Sequence, residues 1–303
     1  MKNTPSKILN VFVLMIFIAS ILILYNKLKG YSLSDIIDSL KLISSVKLIL
    51  SGIITAINYL IVCGYDVLAF KYMNISLKMD HIISTAFISN AVSNVTGYSM
   101  ISGGAVRYRL YSRWHIPFAV VAEAVLFNSL TLWIGLFMVG GLMFAIEPAP
   151  ISQVLHVPVQ SVRLLGMLFV SLVAGYVLFS MSGKNSLKIG KWRMRVPSPA
   201  ISLGQVVISS ADWFFAALAL YVLLPRASVS FFAFLGVYLP AQLLAILSQV
   251  PAGLGVFETV VLLTFPRTHT RPEVFAALLL FRVIYYLLPF GVAMMLLILR
   301  RKR

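Results

Sequence analysis

Four of the nine acidic residues, Asp66, Glu123, Asp212 and Glu258, lie inside apolar stretches of the chain. Arg282 does as well, and Arg107 and Arg109 follow directly on Gly103-Gly104. A charge at bilayer depth costs about 2.5–3.5 kcal/mol on insertion scales, so such residues are seldom idle. Arginine offers a planar fork that takes a phosphate with two hydrogen bonds. Arg107, Arg109 and Arg113 are interleaved with Tyr108 and Tyr111. Beside a cavity, Arg107 and Arg109 suit the phosphate of a lipid head group; Arg113, nearer the membrane edge, reads as an interfacial anchor. Glu258 sits one turn after Gly253-Leu254-Gly255. There it either offsets the positive end of a half-helix or meets a cationic head group or a proton. Asp66 follows Tyr65 and Asp212 precedes Trp213. Both are mid-span, where either could pair with Arg282 or contact a substrate. Glu123 lies near the start of its span and is placed to face the interface.

These side chains need elements that carry them into the membrane. Two polar, glycine-bearing breaks interrupt the apolar sequence. One runs Ser93-Asn94-Val95-Thr96-Gly97-Tyr98-Ser99 on to Ser102-Gly103-Gly104, the other Ser248-Gln249-Val250-Pro251-Ala252-Gly253-Leu254-Gly255. Paired broken helices in two halves of a membrane chain point to a transport site. Residues 81–111 are expected to enter the membrane, turn through Asn94, Gly97, Gly103 and Gly104, and leave at the arginines. Residues 231–265 are expected to turn through Pro251, Gly253 and Gly255. Non-helical backbone at that depth must be shielded by protein or face a wet cavity.

Apolar residues make up 60% of the chain and charged residues 11%, against about 25% charged in soluble domains. The expected fold is an all-α integral membrane protein, one polytopic domain over residues 1–303. At roughly 20 residues per span, six spans are expected: 8–25, 48–70, 118–146, 162–181, 201–224 and 274–299. The first, after Lys2 and Lys7, reads as an uncleaved span rather than a signal peptide. Leu33, Ile36, Ile37, Leu40 and Ile43 oppose Asp35, Asp38 and Lys41, a pattern for a short surface helix. Lys184, Lys188, Lys191, Arg193 and Arg195 crowd one connection, whereas residues 147–161 carry no Lys or Arg. The positive-inside rule then places both termini in the cytoplasm, with Lys27, Lys29, Lys41 and Lys47 as mild violations. This parity makes residues 48–146 and 201–299 inverted copies. Ser93-Asn94-Val95 matches Ser248-Gln249-Val250, and Asp66 and Asp212 occupy the preceding spans. Gly135, Gly140 and Gly141 are expected to allow close helix packing, and Pro240 and Pro289 to kink helices.

Several function classes are set aside. The net charge of +16 resides mostly in residues flanking spans, which is membrane anchoring rather than nucleic-acid binding. A single cysteine, Cys63, allows no internal disulfide and no cysteine metal cluster. His81, His115, His156 and His269 are scattered without a zinc motif, and there is no Walker A loop. No cofactor and no metal are expected.

Three segments carry a resemblance to a known family. They are Gly103-Gly104-Ala105-Val106-Arg107-Tyr108-Arg109-Leu110-Tyr111-Ser112-Arg113, Val250-Pro251-Ala252-Gly253-Leu254-Gly255-Val256-Phe257-Glu258, and Phe281-Arg282-Val283-Ile284-Tyr285-Tyr286. Together they resemble the lysylphosphatidylglycerol synthase transmembrane family, over nearly the whole chain. That family includes the flippase region of the bacterial multiple peptide resistance factor and stand-alone inner-membrane proteins. Bifunctional members add a cytosolic domain that attaches lysine or alanine to phosphatidylglycerol. This sequence ends at Arg303 without one, so the resemblance implies lipid translocation rather than synthesis. The expectation is a lipid flippase of the bacterial inner membrane, acting on a phospholipid such as aminoacylated phosphatidylglycerol. Arg107 and Arg109 would hold the phosphate, and Asp212 and Glu258 would sense the rest of the head group. Asp66 and Arg282 complete the set of substrate-binding candidates. Transport would run down the lipid gradient or couple to protons through a buried carboxylate. A membrane subunit of an aminoacyl-lipid synthase and a non-transporting scaffold are the alternatives. Homo-oligomerisation and a separate lipid-modifying enzyme as partner stay open.

Overall fold

The computed structural model describes residues 22, 25, 32–96, 99–149, 151–152, 157–183, 186–189, 192–225, 230–264 and 271–301. Helix α1 spans Leu33–Lys41, α2 Ser45–Tyr72, α3 Met79–Thr96, α4 Ser99–Tyr111, α5 Phe118–Ile146 and α6 Val159–Ser180. Helix α7 spans Pro199–Tyr221, α8 Phe231–Ser248, α9 Val256–Thr264, α10 Arg271–Phe281 and α11 Leu288–Arg301, with a π-helical segment, Arg282–Leu287, joining the last two. The chain forms two compact units, both discontinuous in sequence. The first takes in Met1–Ala56, Asn90–Gly103 and Ala216–Arg303; the second takes in Ile57–Ser89 and Gly104–Phe215.

Six helical segments among the described residues are long and apolar enough to cross a membrane: α2, α5, α6, α7, α8 and Pro272–Leu299. Helix α6 exposes Leu164, Leu165, Met167, Leu168, Leu172 and Leu178. A surface like that is stable only against lipid. The chain is a multi-pass membrane protein. Five of the six expected spans are found; the remaining one, 8–25, lies largely outside the described residues. Helix α8, expected as one arm of a hairpin, is itself of spanning length, about 27 Å at 1.5 Å per residue.

Within the second unit, α2, α3, α4, α5 and α7 share a core. It contains Ala69, Phe70 and Met73, Ile82, Tyr111, Val121, Ala124 and Phe127, and Ile201. Where α5 meets α6, glycines let the backbones touch. A Cβ on Gly166 would lie 2.6 Å from the Gly141 carbonyl oxygen, and one on Gly135 would lie 2.6 Å from the Ser209 carbonyl carbon of α7. Between α6 and α7 the chain adds a two-stranded antiparallel hairpin, β1 Ser186–Ile189 and β2 Trp192–Arg195, where the sequence suggested no strand. Ser186 and Arg195, at its open end, are exposed, and the backbone groups of the two strands pair with one another.

Both breaks in the apolar sequence return the chain on itself. His81, at the start of α3, stacks on Trp114, just past α4, with ring centroids 4.0 Å apart. The two arms therefore end at the level where they begin. The interruption between them is narrower than the sequence suggested. Asn94 lies in α3, and Gly103 and Gly104 lie in α4, so none of these three is a turn residue; Gly97 lies outside the described residues. Helix is retained at these glycines at about 1 kcal/mol each, because backbone amides in an apolar medium have no water to turn to.

The second break is wider. Gln249 and Ala252 have φ of 54° and 51°, and Gly253 and Gly255 have φ of 64° and 79°. Pro251 opens a single 3-10 turn, Pro251–Gly253. A Cβ on Gly253 would lie 2.6 Å from the Ala245 Cβ, and Tyr238 meets Phe257 with ring centroids 5.6 Å apart. These contacts pair descending with ascending residue numbers, so α9 runs antiparallel to α8. Pro240 lies within α8 without ending it.

Replacing Gly166 by Val forces atoms into the Gly141 backbone and is expected to destabilise the fold by about 1–3 kcal/mol. Gly175→Val, where nothing lies within 4 Å of the added Cβ, is the control. Thermal unfolding of the two variants in detergent measures the difference.

Candidate functional site

Buried polar groups gather at three places, two in the second unit and one in the first. Asp66 of α2 is fully buried. Arg107 of α4, also buried, donates from Nε to both carboxylate oxygens at 3.1 Å. Asn128 of α5 donates from Nδ2 to Oδ1 at 2.5 Å. One helical turn on, Phe70 packs against Tyr111 at 4.9 Å between ring centroids. The pairs 66 with 107 and 70 with 111 set α2 and α4 side by side in parallel register. The Tyr111 hydroxyl and Asn128 Oδ1 are buried beside this pair without a hydrogen-bond partner. Such groups mark room for ordered water or a ligand oxygen. Arg109, two residues past Arg107, is exposed.

The second place is Asp212 of α7. Asn58 Nδ2 donates to its Oδ1 and to its backbone carbonyl, both at 2.9 Å. The Tyr65 hydroxyl donates to Oδ2 at 2.9 Å. Adjacent residues of α2 thus serve different acids: Tyr65 reaches Asp212, and Asp66 reaches Arg107. Trp213 is fixed separately, its Nε1 donating to the Leu132 carbonyl at 3.1 Å.

The third place joins the second break to the π-helical segment. Glu258 of α9 accepts from the Gly255 backbone N–H at 2.8 Å through Oε2, and from Arg282 Nε through Oε1. Arg282 Nη1 also donates to the Ala252 carbonyl at 2.5 Å. Its guanidinium lies 5.4 Å from the centre of the Tyr286 ring. Gln242 of α8 donates to the Tyr286 hydroxyl at 3.4 Å. Pro289 has no N–H to offer the carbonyl four residues back, which opens the helix just ahead of it and accounts for the wide turn. The capping reading of Glu258 fits this geometry, and its other carboxylate oxygen holds Arg282.

Arg282 is thus partnered by Glu258, not by Asp66 or Asp212. Glu123 is exposed, as is Arg113. Attention to charged residues alone passed over Asn58, Asn128 and Gln242. An uncharged amide inside a span also needs a partner, and these three were visible as isolated polar letters in apolar runs. A fourth, Gln205 of α7, donates to Thr131 Oγ1 at 2.7 Å and accepts from Tyr176.

Removing one partner of a buried pair strands the other. Asp66→Ala is expected to destabilise the protein by about 3–5 kcal/mol. The double variant Asp66→Ala with Arg107→Leu should recover part of that loss. A double-mutant cycle from unfolding midpoints in detergent checks both.

No family model matches the chain. It is 38% identical over 279 residues to the uncharacterized protein slr0712 of Synechocystis sp., covering 92% of this chain and 87% of that protein. It is 29% identical over 280 residues to the inner membrane protein YbhN of Escherichia coli, with the same coverage of each. It is 26% identical over 301 residues to the phosphatidylglycerol lysyltransferase of Staphylococcus aureus strain MSSA476, covering 97% of this chain but only 34% of that enzyme. With extended similarity to these proteins, and with the motif residues Arg107, Glu258 and Arg282 gathered into buried ion pairs, the chain belongs to the lysylphosphatidylglycerol synthase transmembrane family.

Proposed function

We propose that this protein is a lipid translocase of the bacterial inner membrane, carrying a phospholipid head group between leaflets. The observation behind this reading is that each compact unit keeps an arginine–carboxylate pair inside an apolar part of the chain. A purely structural pair is often no better than apolar packing. A pair that exchanges partners has a use. A lipid phosphate competes with Asp66 for Arg107, and a cationic head group competes with Arg282 for Glu258. Each exchange replaces one charge-assisted bond by another, so no charge is left bare in the hydrocarbon. Arg109, exposed two residues from Arg107, makes the first contact with the phosphate. Acyl chains stay in the bilayer, and only the head group needs a polar path. An aminoacylated phosphatidylglycerol carries both charges that these groups would meet. The recurrence of one pair and one break in each of the segments 48–146 and 201–299 also supports reading them as inverted repeats. Both termini would lie in the cytoplasm.

A second reading, a membrane subunit of an aminoacyl-lipid synthase, draws on the name of the Staphylococcus aureus relative. Transfer of labelled lysine to lipid by the purified chain would favour it.

The translocase reading is tested in liposomes containing fluorescent phosphatidylglycerol or its lysyl form. The purified protein should accelerate exchange between leaflets, and equal rates with and without it would overturn the proposal. Arg109→Ala and Glu258→Gln should each slow exchange about tenfold or more, because a hydrogen bond to a charged group is worth about 1.5–3 kcal/mol. Wild-type rates in both would dismiss the assignment of these two residues.

A further inference from the structure

We infer that Asp212 is a proton-binding group that couples translocation to the proton gradient, an inference resting on the translocase reading above. The three buried carboxylates differ in their surroundings. Asp66 is held by Arg107 and Asn128, and Glu258 by Arg282 and the Gly255 N–H. In each set one partner is an arginine, which only donates and carries a fixed positive charge. Protonating either acid would leave its arginine without a counter-ion.

Asp212 differs on both counts. Its partners are Asn58 and Tyr65, both neutral. The tyrosine hydroxyl can accept as well as donate. When a proton binds Oδ2, the new O–H donates to the Tyr65 oxygen and the phenolic hydrogen turns away, while Asn58 continues to donate to Oδ1. The oxygen set is satisfied in both states, and no cation is stranded in either. The phenolic O–H is also a ready relay for the incoming proton.

The elements packed on this part of α7 bring no compensating charge. From α2 come Tyr65 and, one residue on, Asp66, already neutralised by Arg107. Helix α5 presents Thr131 and Leu132, and its acid, Glu123, is exposed. Helix α6 presents Tyr176, which bonds Gln205 about two turns from Asp212. Both carboxylate oxygens of Asp212 are occupied and the residue is buried. A lysyl head group arriving there would meet neutral donors and no arginine to exchange with, whereas a proton needs only the hydroxyl of Tyr65. This reassigns Asp212 from contact with the head group to coupling.

Two measurements on the full-length protein test this. The first is infrared difference spectroscopy during a pH titration. A carboxyl band should appear on acidification, be missing in Asp212→Asn, and shift its midpoint in Tyr65→Phe. Absence of an Asp212-dependent band overturns the inference whether or not lipid moves. The second is lipid exchange in proteoliposomes with and without an imposed pH gradient. The gradient should speed wild-type exchange several-fold, whereas Asp212→Asn should show no stimulation over its own gradient-free rate. Exchange that ignores the gradient in the wild type, or stimulation that survives in Asp212→Asn, rejects coupling and leaves the translocase reading intact. An Asp212-dependent band with no exchange under any condition rejects the translocase reading instead. Because Tyr65→Phe keeps the carboxylate, it preserves a second route to a result should Asp212→Asn fail to fold.

Discussion

An arginine inside a hydrocarbon layer must carry its counter-ion with it, and this requirement organises both units of the protein. Arg107 cannot deprotonate and cannot be left bare. Asp66 answers it, and α2 and α4 are brought into register by that contact. Phe70 and Tyr111, one turn on, then close the apolar part of the same interface. Asn128 brings α5 to the pair. Three helices are thus indexed to one another by a single polar contact, with packing filling in around it. Apolar side chains alone would tolerate sliding; a buried donor and acceptor do not.

In the first unit the same requirement is tied to the backbone. A break in a membrane helix frees amides and carbonyls that water would otherwise satisfy. Here the two side chains of the ion pair satisfy them as well. Glu258 takes the Gly255 N–H, and Arg282 takes the Ala252 carbonyl. The salt bridge and the break are therefore one constraint. Without the pair, the Gly255 N–H and the Ala252 carbonyl beside these positive-φ residues would lose their side-chain partners. Without the break, Glu258 and Arg282 would have fewer bonds at the same depth. The wide turn ahead of Pro289 belongs to this arrangement, because Arg282 is its first residue and Tyr286, beneath the guanidinium, lies within it.

Much of this was legible in the sequence, and the parts that were not fail for identifiable reasons. Span positions follow from hydropathy, because the bilayer filters composition directly. Gly253 and Gly255 read correctly as turn residues, since their neighbours Pro251 and Ser248 already break the helix. Gly103 and Gly104 were misleading. Glycine permits a turn but does not demand one, and an apolar medium favours the hydrogen-bonded helix. The charged residues were all visible, but their pairing was not. Asp66 and Asp212 occupy similar positions in their spans, yet only one meets an arginine. That depends on which face of each helix is presented, and periodicity is uninformative when a helix is apolar all round. The β-hairpin between α6 and α7 was hidden by its lysines and arginines, which read first as a topology signal.

The difference between the buried acids also bears on how the proposed translocation could be driven. A carboxylate clasped by an arginine can exchange that partner for another ion. One held by an amide and a phenol has no such partner, and its charge is set by the proton supply. Tyr65 and Asp66 are consecutive residues of α2. A change of bonding at Asp212 therefore acts on the same turn of helix that positions Asp66 against Arg107. Coupling between a proton and an anion site then needs no long pathway, only the stiffness of a single helical turn. What would otherwise be an awkward feature, two aspartates buried close together in the second unit, becomes a means of linking two different binding events.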